Sequence, residues 1–156
     1  MSVEENRSVS TVLAADKWAL AQANGDAGPL VLRYRTPILG PDGVDGYNRV
    51  LRILWPYAAQ DSGAMPATAV SEDMGQFEDR LCDVLEIDAH AFLAAVLTFV
   101  GARQWVFYTL DVGECGRRLE NMPQNDEPYP IEMDAFDDPS WQYLRTQILT
   151  RVPINA

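Results

Sequence analysis

The clearest periodic pattern in the chain is an amphipathic helix that follows residue 70. Apolar side chains recur at helical spacing and fall within one sector about 100° wide. They are Met74, Phe77, Leu81, Val84 and Leu85. Ser71 is placed to cap the helix, and acidic residues follow it in the first turn, where they complement the helix dipole. The pattern therefore predicts a helix that begins at Ser71 and packs on a core through this sector.

The opposite side of the predicted helix is acidic. Four carboxylates fall within about 60° of each other on a helical wheel. They are Glu72, Asp79, Asp83 and Glu86. A solvated helix face explains such a pattern, and a docking surface for a basic partner, steered by charge, is the alternative.

Six segments have the hydrophobic pattern of β-strands. Residues 91–100 and 104–110 are apolar at odd and even positions alike, which is typical of strands buried on both faces. The other four strands are predicted at residues 18–23, 30–35, 49–57 and 129–134. In the last of these, alternation predicts that Ile131 and Met133 point inward and that Glu132 and Asp134 point to solvent.

Two further helices are expected after the central strands. Residues 113–122 form a weak candidate, and a final helix is predicted to begin with Asp138 as N-cap and Pro139 in the first turn. Its core face is apolar, with Trp141, Leu144, Ile148 and Leu149. Residues 1–12 show no clear period and are expected to form a loose leader, which leaves residues 13–156 as one domain.

The resulting order, β-β-β-α-β-β-α-β-α, predicts an α+β fold. Its later part is the ferredoxin-like split βαβ core, β-α-β-β-α-β, preceded by an N-terminal β-hairpin and followed by a C-terminal helix. Because the two central strands are apolar on both sides, both faces of the sheet need a cover. The last helix, the N-terminal hairpin and a second copy of the chain are the three candidates, so a homodimer is possible.

Charge narrows the possible functions. The 156 residues carry 12 basic and 23 acidic side chains, for a net charge of -11, and all of the excess lies in residues 60–156. This balance argues against binding to nucleic acid, whose affinity depends on cations that neutralise phosphates, and against an anionic membrane surface. An acidic N-terminus with no apolar segment behind it predicts a cytoplasmic protein.

Candidate catalytic chemistry is sparse. His90 is the only histidine, and Cys82 and Cys115 belong to no CxxC pair, so they are expected to be reduced thiols. A hard-metal site is conceivable at a group of carboxylates, because Mg²⁺ and Ca²⁺ prefer oxygen ligands. The group is Glu132, Asp134, Asp137 and Asp138. No metal, cofactor or catalytic residue is assigned.

Three motifs carry a resemblance to a known family. The first is Gly-Ala-Met-Pro at residues 63–66, ahead of the helical segment at residues 77–81. The second is Gly-x-Arg-x-x-Val-Phe-Tyr within residues 98–108. The third joins Tyr-Pro-Ile-Glu at residues 129–132 to Asp-Pro-x-Trp at residues 138–141. Together they resemble the DUF695 family, bacterial domains of unknown function, over roughly residues 15–150.

The resemblance supports the predicted fold more than any activity, because the family supplies no catalytic residues. It also implies a weaker, fold-level similarity to the regulator of ribonuclease activity B, a small acidic inhibitor of an RNA-degrading enzyme. The leading hypothesis is therefore a non-catalytic module that binds a basic protein through its acidic surface. The alternatives are a metal-assisted hydrolase with Asp134 and Asp137 as ligands, and a small-molecule binder that uses the loops at residues 36–47 and 58–70.

Overall fold

A computed structural model describes residues 2–25, 28–36, 43–58, 66–123 and 128–151. The helices are α1 (Ser2–Ala15), α2 (Thr68–Leu85) and α3 (Val112–Glu120). The strands are β1 (Lys17–Gly25), β2 (Gly28–Thr36), β3 (Arg49–Pro56), β4 (Ala91–Phe99), β5 (Ala102–Thr109) and β6 (Glu132–Asp137). A π-helical turn (Tyr143–Ile148) and a 3-10 turn (Leu149–Arg151) follow, and together they form the C-terminal helical segment.

The strands form one six-stranded sheet in the order β1-β2-β4-β5-β3-β6. All neighbours are antiparallel, and the predicted α+β class is confirmed. Strands β4 and β5 lie in the middle of the sheet, as their continuous apolar pattern predicted. A bulge between Leu93 and Ala95 interrupts their register.

Each face of the sheet carries its own hydrophobic core. On one face, α2 and α3 pack over the strands, with Phe77, Leu81 and Leu119 against Ile53, Leu93 and Trp105. On the other face, α1 and the C-terminal helical segment pack over Phe92, Val106 and Tyr108. The protein therefore has three layers, helix on sheet on helix, which is how strands that are apolar on both sides become buried.

The second face is covered from both ends of the chain. Val9 and Val12 of α1 are buried there, beside Trp141, Leu144 and Ile148. The prediction that residues 1–12 form a loose leader is wrong, because this segment is helical and contributes to the core. The N-terminal hairpin extends the sheet at its edge, so of the predicted covers it is the last helix that lies on this face.

The N-cap of helix α2 lies four residues earlier than predicted. Its N-cap position is Ala67, which offers no side-chain hydrogen bond. The Ser71 N–H already donates to the Ala67 carbonyl oxygen at 2.9 Å, so Ser71 lies inside the first turn. The prediction of Ser71 as N-cap is therefore wrong.

Strand β6 is shifted by three residues from its predicted start and lies at the edge of the sheet. The side chain of Met133 is 52% exposed, so the prediction that it points inward is wrong. Tyr129, which was expected in the strand, instead packs in the core with its ring centroid 4.6 Å from that of Phe77.

Asp138 organises the start of the C-terminal helical segment. Its carboxylate accepts hydrogen bonds from the backbone N–H groups of Gln142 at 2.9 Å and Tyr143 at 2.8 Å, and from the Tyr108 hydroxyl at 2.7 Å. The capping role is thus present, but the helix starts later than predicted. The chain first turns through Trp141, which has a left-handed φ of 59°.

Trp141 locks this turn against the sheet. Its ring stacks on Tyr108 with centroids 4.1 Å apart, and its indole N–H donates to the Tyr47 carbonyl oxygen at 2.9 Å. A left-handed conformation in a residue other than glycine costs about 1–3 kcal/mol. The stacking and the buried hydrogen bond offset that cost.

Gly43 offers a test of this packing. It has a φ of +97°, and a Cβ atom there would lie 2.1 Å from the Pro139 carbonyl oxygen. We expect Gly43→Ala to lower the free energy of unfolding by about 1–3 kcal/mol. Gly75 in α2 has open space around it, so Gly75→Ala should stabilise the protein by about 0.5–1 kcal/mol. Urea denaturation measures both, and equal effects of the two substitutions would contradict the packing described.

Candidate functional site

The four predicted carboxylates of α2 separate into two groups. Glu72, Asp79 and Asp83 are exposed on the outer side of the helix, and these three residues are called the acidic stripe below. The Glu86 side chain is only 11% exposed and is bonded to Arg35. The expectation that Glu86 belongs to the outer surface is therefore wrong, because this residue turns towards the sheet.

The three carboxylates of the acidic stripe have no cation bonded to them among the described residues. None of its three residues makes an ion pair or a hydrogen bond to another residue in the part of the chain that the structure describes. By contrast, Asp88 and Glu114 are both paired with Arg118. The stripe therefore presents charge that is neutralised only by solvent and salt.

Two ion pairs hold α2 to the β1–β2 hairpin. They involve Glu78 and Glu86, on the side of the helix that faces the sheet, which is called the inner flank below. Glu78 contacts Arg33 at 2.5 Å, and Glu86 contacts Arg35 at 3.0 Å. The two glutamates lie two helical turns apart, and the two arginines lie on the same face of β2. Trp18 of β1 lies beneath both guanidinium groups. Its ring centroid is 4.7 Å from the Cζ atom of Arg33 and 4.5 Å from the Cζ atom of Arg35.

Glu86 also accepts a hydrogen bond from a backbone N–H group at the point where β2 and β4 separate. The pairing of β2 with β4 ends at Tyr34 and Ala95, and beyond that point the Glu86 carboxylate accepts the Leu93 N–H at 2.7 Å. Burial raises the pKa of Glu86, and Arg35 acts against that rise. A buried charge of this kind is retained only because it is paired and hydrogen-bonded.

Neither cysteine has the environment of a nucleophile. Both are free thiols, as predicted. Burial raises the pKa of Cys82, and the neighbouring Glu86 carboxylate raises it further. Burial also raises the pKa of Cys115. Since the thiolate is the reactive form, both side chains act as packing groups.

His90 is held in a structural position. It is buried, and its Nε2 atom lies 2.9 Å from the Asp111 carbonyl oxygen, to which it donates. Its backbone N–H is accepted by the Asp88 carboxylate at 3.3 Å. His90 thereby joins the end of α2 to the start of α3, and among the described hydrogen bonds none joins its imidazole ring to a hydroxyl or a thiol.

The proposed metal ligands do not converge. Asp134 is bonded to Arg52, and this hydrogen bond lowers the pKa of Asp134. Asp137 pairs with Arg49 at 3.3 Å, while Asp138 turns inward to Tyr108. Among the described residues no group of three or more His, Cys, Asp or Glu side chains could hold a metal ion. The structure therefore does not support the hydrolase alternative with Asp134 and Asp137 as ligands.

The loops of the small-molecule alternative fall largely outside the described residues, which omit 37–42 and 59–65. In the part of the chain that is described, none of the helices combines the length and the apolar character needed to cross a membrane.

Comparison with known proteins identifies the family. The model of the family of unknown function DUF695 matches residues 16–147. The chain belongs to the DUF695 family. The comparisons with curated proteins and with solved structures gave no match, and the similarity to the regulator of ribonuclease activity B stays a prediction. The family match begins at residue 16, after α1.

Two of the family-like motifs have structural roles in this DUF695 domain, while residues 63–65 of the Gly-Ala-Met-Pro motif lie outside the described residues. The Asp-Pro-x-Trp motif forms the turn that Asp138 and Trp141 lock onto Tyr108. In the Gly-x-Arg-x-x-Val-Phe-Tyr motif, Val106 and Phe107 fill opposite cores. Sequence reasoning missed the pairing of β2 with α2. The signal for it in the sequence was a pair of arginines two residues apart, Arg33 and Arg35, together with a pair of glutamates eight residues apart, Glu78 and Glu86.

The buried Arg35–Glu86 pair can be tested by removing one charge at a time. Glu86→Gln leaves Arg35 with only the exposed Asp16 carboxylate, at 3.2 Å, as its counter-charge, so we expect a loss of about 3 kcal/mol in the free energy of unfolding. The double variant R35M/E86Q removes both charges, and the glutamine oxygen can still accept the Leu93 N–H. It should therefore be more stable than E86Q. Asp83→Asn, on the exposed side, should change stability by less than about 0.5 kcal/mol.

Urea denaturation of these variants measures the coupling between the two residues. Equal stability of E86Q and D83N would contradict a buried pair.

Asp88 predicts a pH dependence. The bidentate hydrogen bond from Arg118, at 2.7 and 2.8 Å, lowers the pKa of Asp88 from 3.8 to about 2. A folded-state pKa below the unfolded value contributes stability above about pH 4, and this contribution is lost as the pH falls to about 2. The difference in melting temperature between the wild type and Asp88→Asn should therefore close over this range. A difference that stays constant from about pH 6 to pH 2 would refute the linkage.

Proposed function

We propose that this DUF695 domain is a non-catalytic protein-binding module that docks a basic partner on the acidic stripe. The observation that carries the proposal is the contrast between the two sides of α2. Glu78 and Glu86 on the inner flank are neutralised by arginines, whereas Glu72, Asp79 and Asp83 face solvent with no cation beside them among the described residues.

The one cation within α2 is directed away from the stripe. Arg80, the only basic residue of α2, donates to the Tyr129 hydroxyl at 2.5 Å and to the Pro123 carbonyl oxygen at 3.2 Å. A one-sided field of this kind speeds the encounter with a partner of opposite charge. Salt should weaken the interaction, because exposed charges are screened over about 8 Å at physiological ionic strength.

An apolar side chain lies at the C-terminal end of the stripe. Ile87 is 82% exposed, one helical turn beyond Asp83. It lines two surface depressions of about 440 and 480 Å³, one against α3 and one against α1. Apolar anchors surrounded by polar side chains are typical of the centre of protein interfaces. The partner that fits is therefore a basic segment with at least one apolar side chain.

We also propose that β3 to β6 with α2 and α3 form a ferredoxin-like core. The sheet order β4-β5-β3-β6 supports this assignment, as does the packing of both helices on the same face of these strands. The β1–β2 hairpin then extends the core beside β4.

Charge reversal on the stripe tests the proposed function. We expect Asp79→Lys with Asp83→Lys to abolish capture of the basic partner from lysate, because the field at the docking surface changes sign. The matched control is Glu120→Lys with Glu132→Lys, which makes the same change in net charge at exposed positions outside α2. Affinity capture at low and at high salt with mass spectrometry identifies proteins that the control retains and the stripe variant loses. Capture that is identical for the two variants would refute the proposal.

A further inference from the structure

A small pocket lies on the α2 side of the sheet, next to the inner flank of the helix. Its volume is about 200 Å³. The lining comes from two neighbouring rows of side chains across the strands, with three residues in each. One row is Leu20, Arg33 and Val96, and the other is Val31, Thr98 and Arg103. The strand register therefore places two arginines among three aliphatic side chains.

Only the Nε atom of the Arg103 guanidinium group has a hydrogen-bond partner among the described residues. Its Nε–H donates to the Thr98 hydroxyl oxygen at 2.9 Å. Within the described residues, the rest of its guanidinium group makes neither a hydrogen bond nor an ion pair. Thr98 is only 4% exposed, and its hydroxyl accepts this bond, so the hydroxyl proton is available to a ligand.

Arg33 is held in place from two sides. Glu78 contacts its Nη2 atom at 2.5 Å, and the Trp18 ring lies under the guanidinium group. Glu78 also accepts the Trp105 indole N–H at 2.9 Å, so its carboxylate is shared. These contacts pre-organise Arg33 at the wall of the pocket, which lowers the entropy cost of binding a ligand.

The charge inside the pocket is positive. Two guanidinium groups share one carboxylate, since Glu78 is the acidic residue that contacts Arg33. Burial lowers the pKa of Arg103, attraction to Glu78 acts against that fall, and repulsion from Arg33 adds to it. A protein with a net charge of -11 thus keeps two cations together in a partly buried site. An anion between them would relieve their repulsion.

We propose that this pocket binds a small carboxylate that carries a short aliphatic chain. The two guanidinium groups and the Thr98 hydroxyl provide donors for the carboxylate oxygens, and planar guanidinium groups match carboxylate geometry. Leu20, Val31 and Val96 provide an apolar wall for the chain.

The size of the pocket limits the ligand. A volume of about 200 Å³ equals the share of about seven water molecules in the liquid. It is below the roughly 300–1,000 Å³ of pockets for drug-sized ligands. A carboxylate of the size of butyrate fits this space. The site is separate from the acidic stripe, because it faces the sheet and the stripe faces solvent, so either proposal can fail without the other.

Titration calorimetry with butyrate tests the site. We expect saturable binding to the wild type, and none for butyramide, which has the same shape without the charge. Arg103→Gln should weaken butyrate binding by about tenfold or more, the loss expected for a charge-assisted hydrogen bond. Arg117→Gln is the matched control, because it removes a largely exposed cation of α3, and it should leave the affinity unchanged.

A second variant tests the apolar wall while keeping both arginines. Val31→Phe reduces the space for the chain, so it should weaken butyrate more than acetate. Because Val31→Phe keeps Arg103, it tests the site even where R103Q fails to fold. Absence of saturable butyrate binding to the wild type would overturn the proposal, as would equal affinities of R103Q and R117Q. Tighter binding of inorganic phosphate than of butyrate would overturn the choice of a carboxylate.

Discussion

The buried ion pair of Arg35 and Glu86 is the contact on which the arrangement of the other elements depends. It joins the β1–β2 hairpin to the end of α2, and Glu86 also satisfies the Leu93 N–H at the bulge of β4. Both side chains are nearly inaccessible to water, so their desolvation has to be offset by hydrogen bonds. The offset is incomplete, because the Nε atom of Arg35 is buried without a partner.

Glu78 lies within α2, and its contact with Arg33 fixes which side of the helix faces β2. Asp79 and Asp83 are exposed on the outer side, whereas Glu86, at the C-cap, turns back towards the sheet. Glu78 contacts Arg33 and the Trp105 indole but forms no hydrogen bond with Arg103. The acidic stripe and the positive pocket therefore lie on different sides of one helix, and they differ in charge and in the ligand that each would bind.

The sequence predicts the elements of this protein better than their contacts. Strands β4 and β5 were evident because their apolar residues alternate towards two cores. Helix α1 was missed because, among its described side chains, Val9 and Val12 are buried and Leu13 packs partly buried against them, too few apolar residues for a visible period. Glu86 was assigned to the surface because a helical wheel treats it as part of the helix. It is the C-cap of α2, and it turns towards Arg35 of β2, a contact that a helical wheel cannot show. Ser71 failed as a cap because Ala67 accepts its N–H.

The choice of basic residue explains why the surplus charge is found on the outside. Eleven of the twelve cations are arginines, whose planar group can bond a carboxylate and stack on a ring at the same time. Arg33, Arg35 and Arg52 each do both. Cations engaged in this way neutralise the carboxylates that the fold needs and leave the acidic stripe unscreened. Arg103 stands apart, because it is partly buried and forms no ion pair with the nearby Glu78, which contacts Arg33 instead. The proposed anion would supply the ion pair that Arg103 lacks.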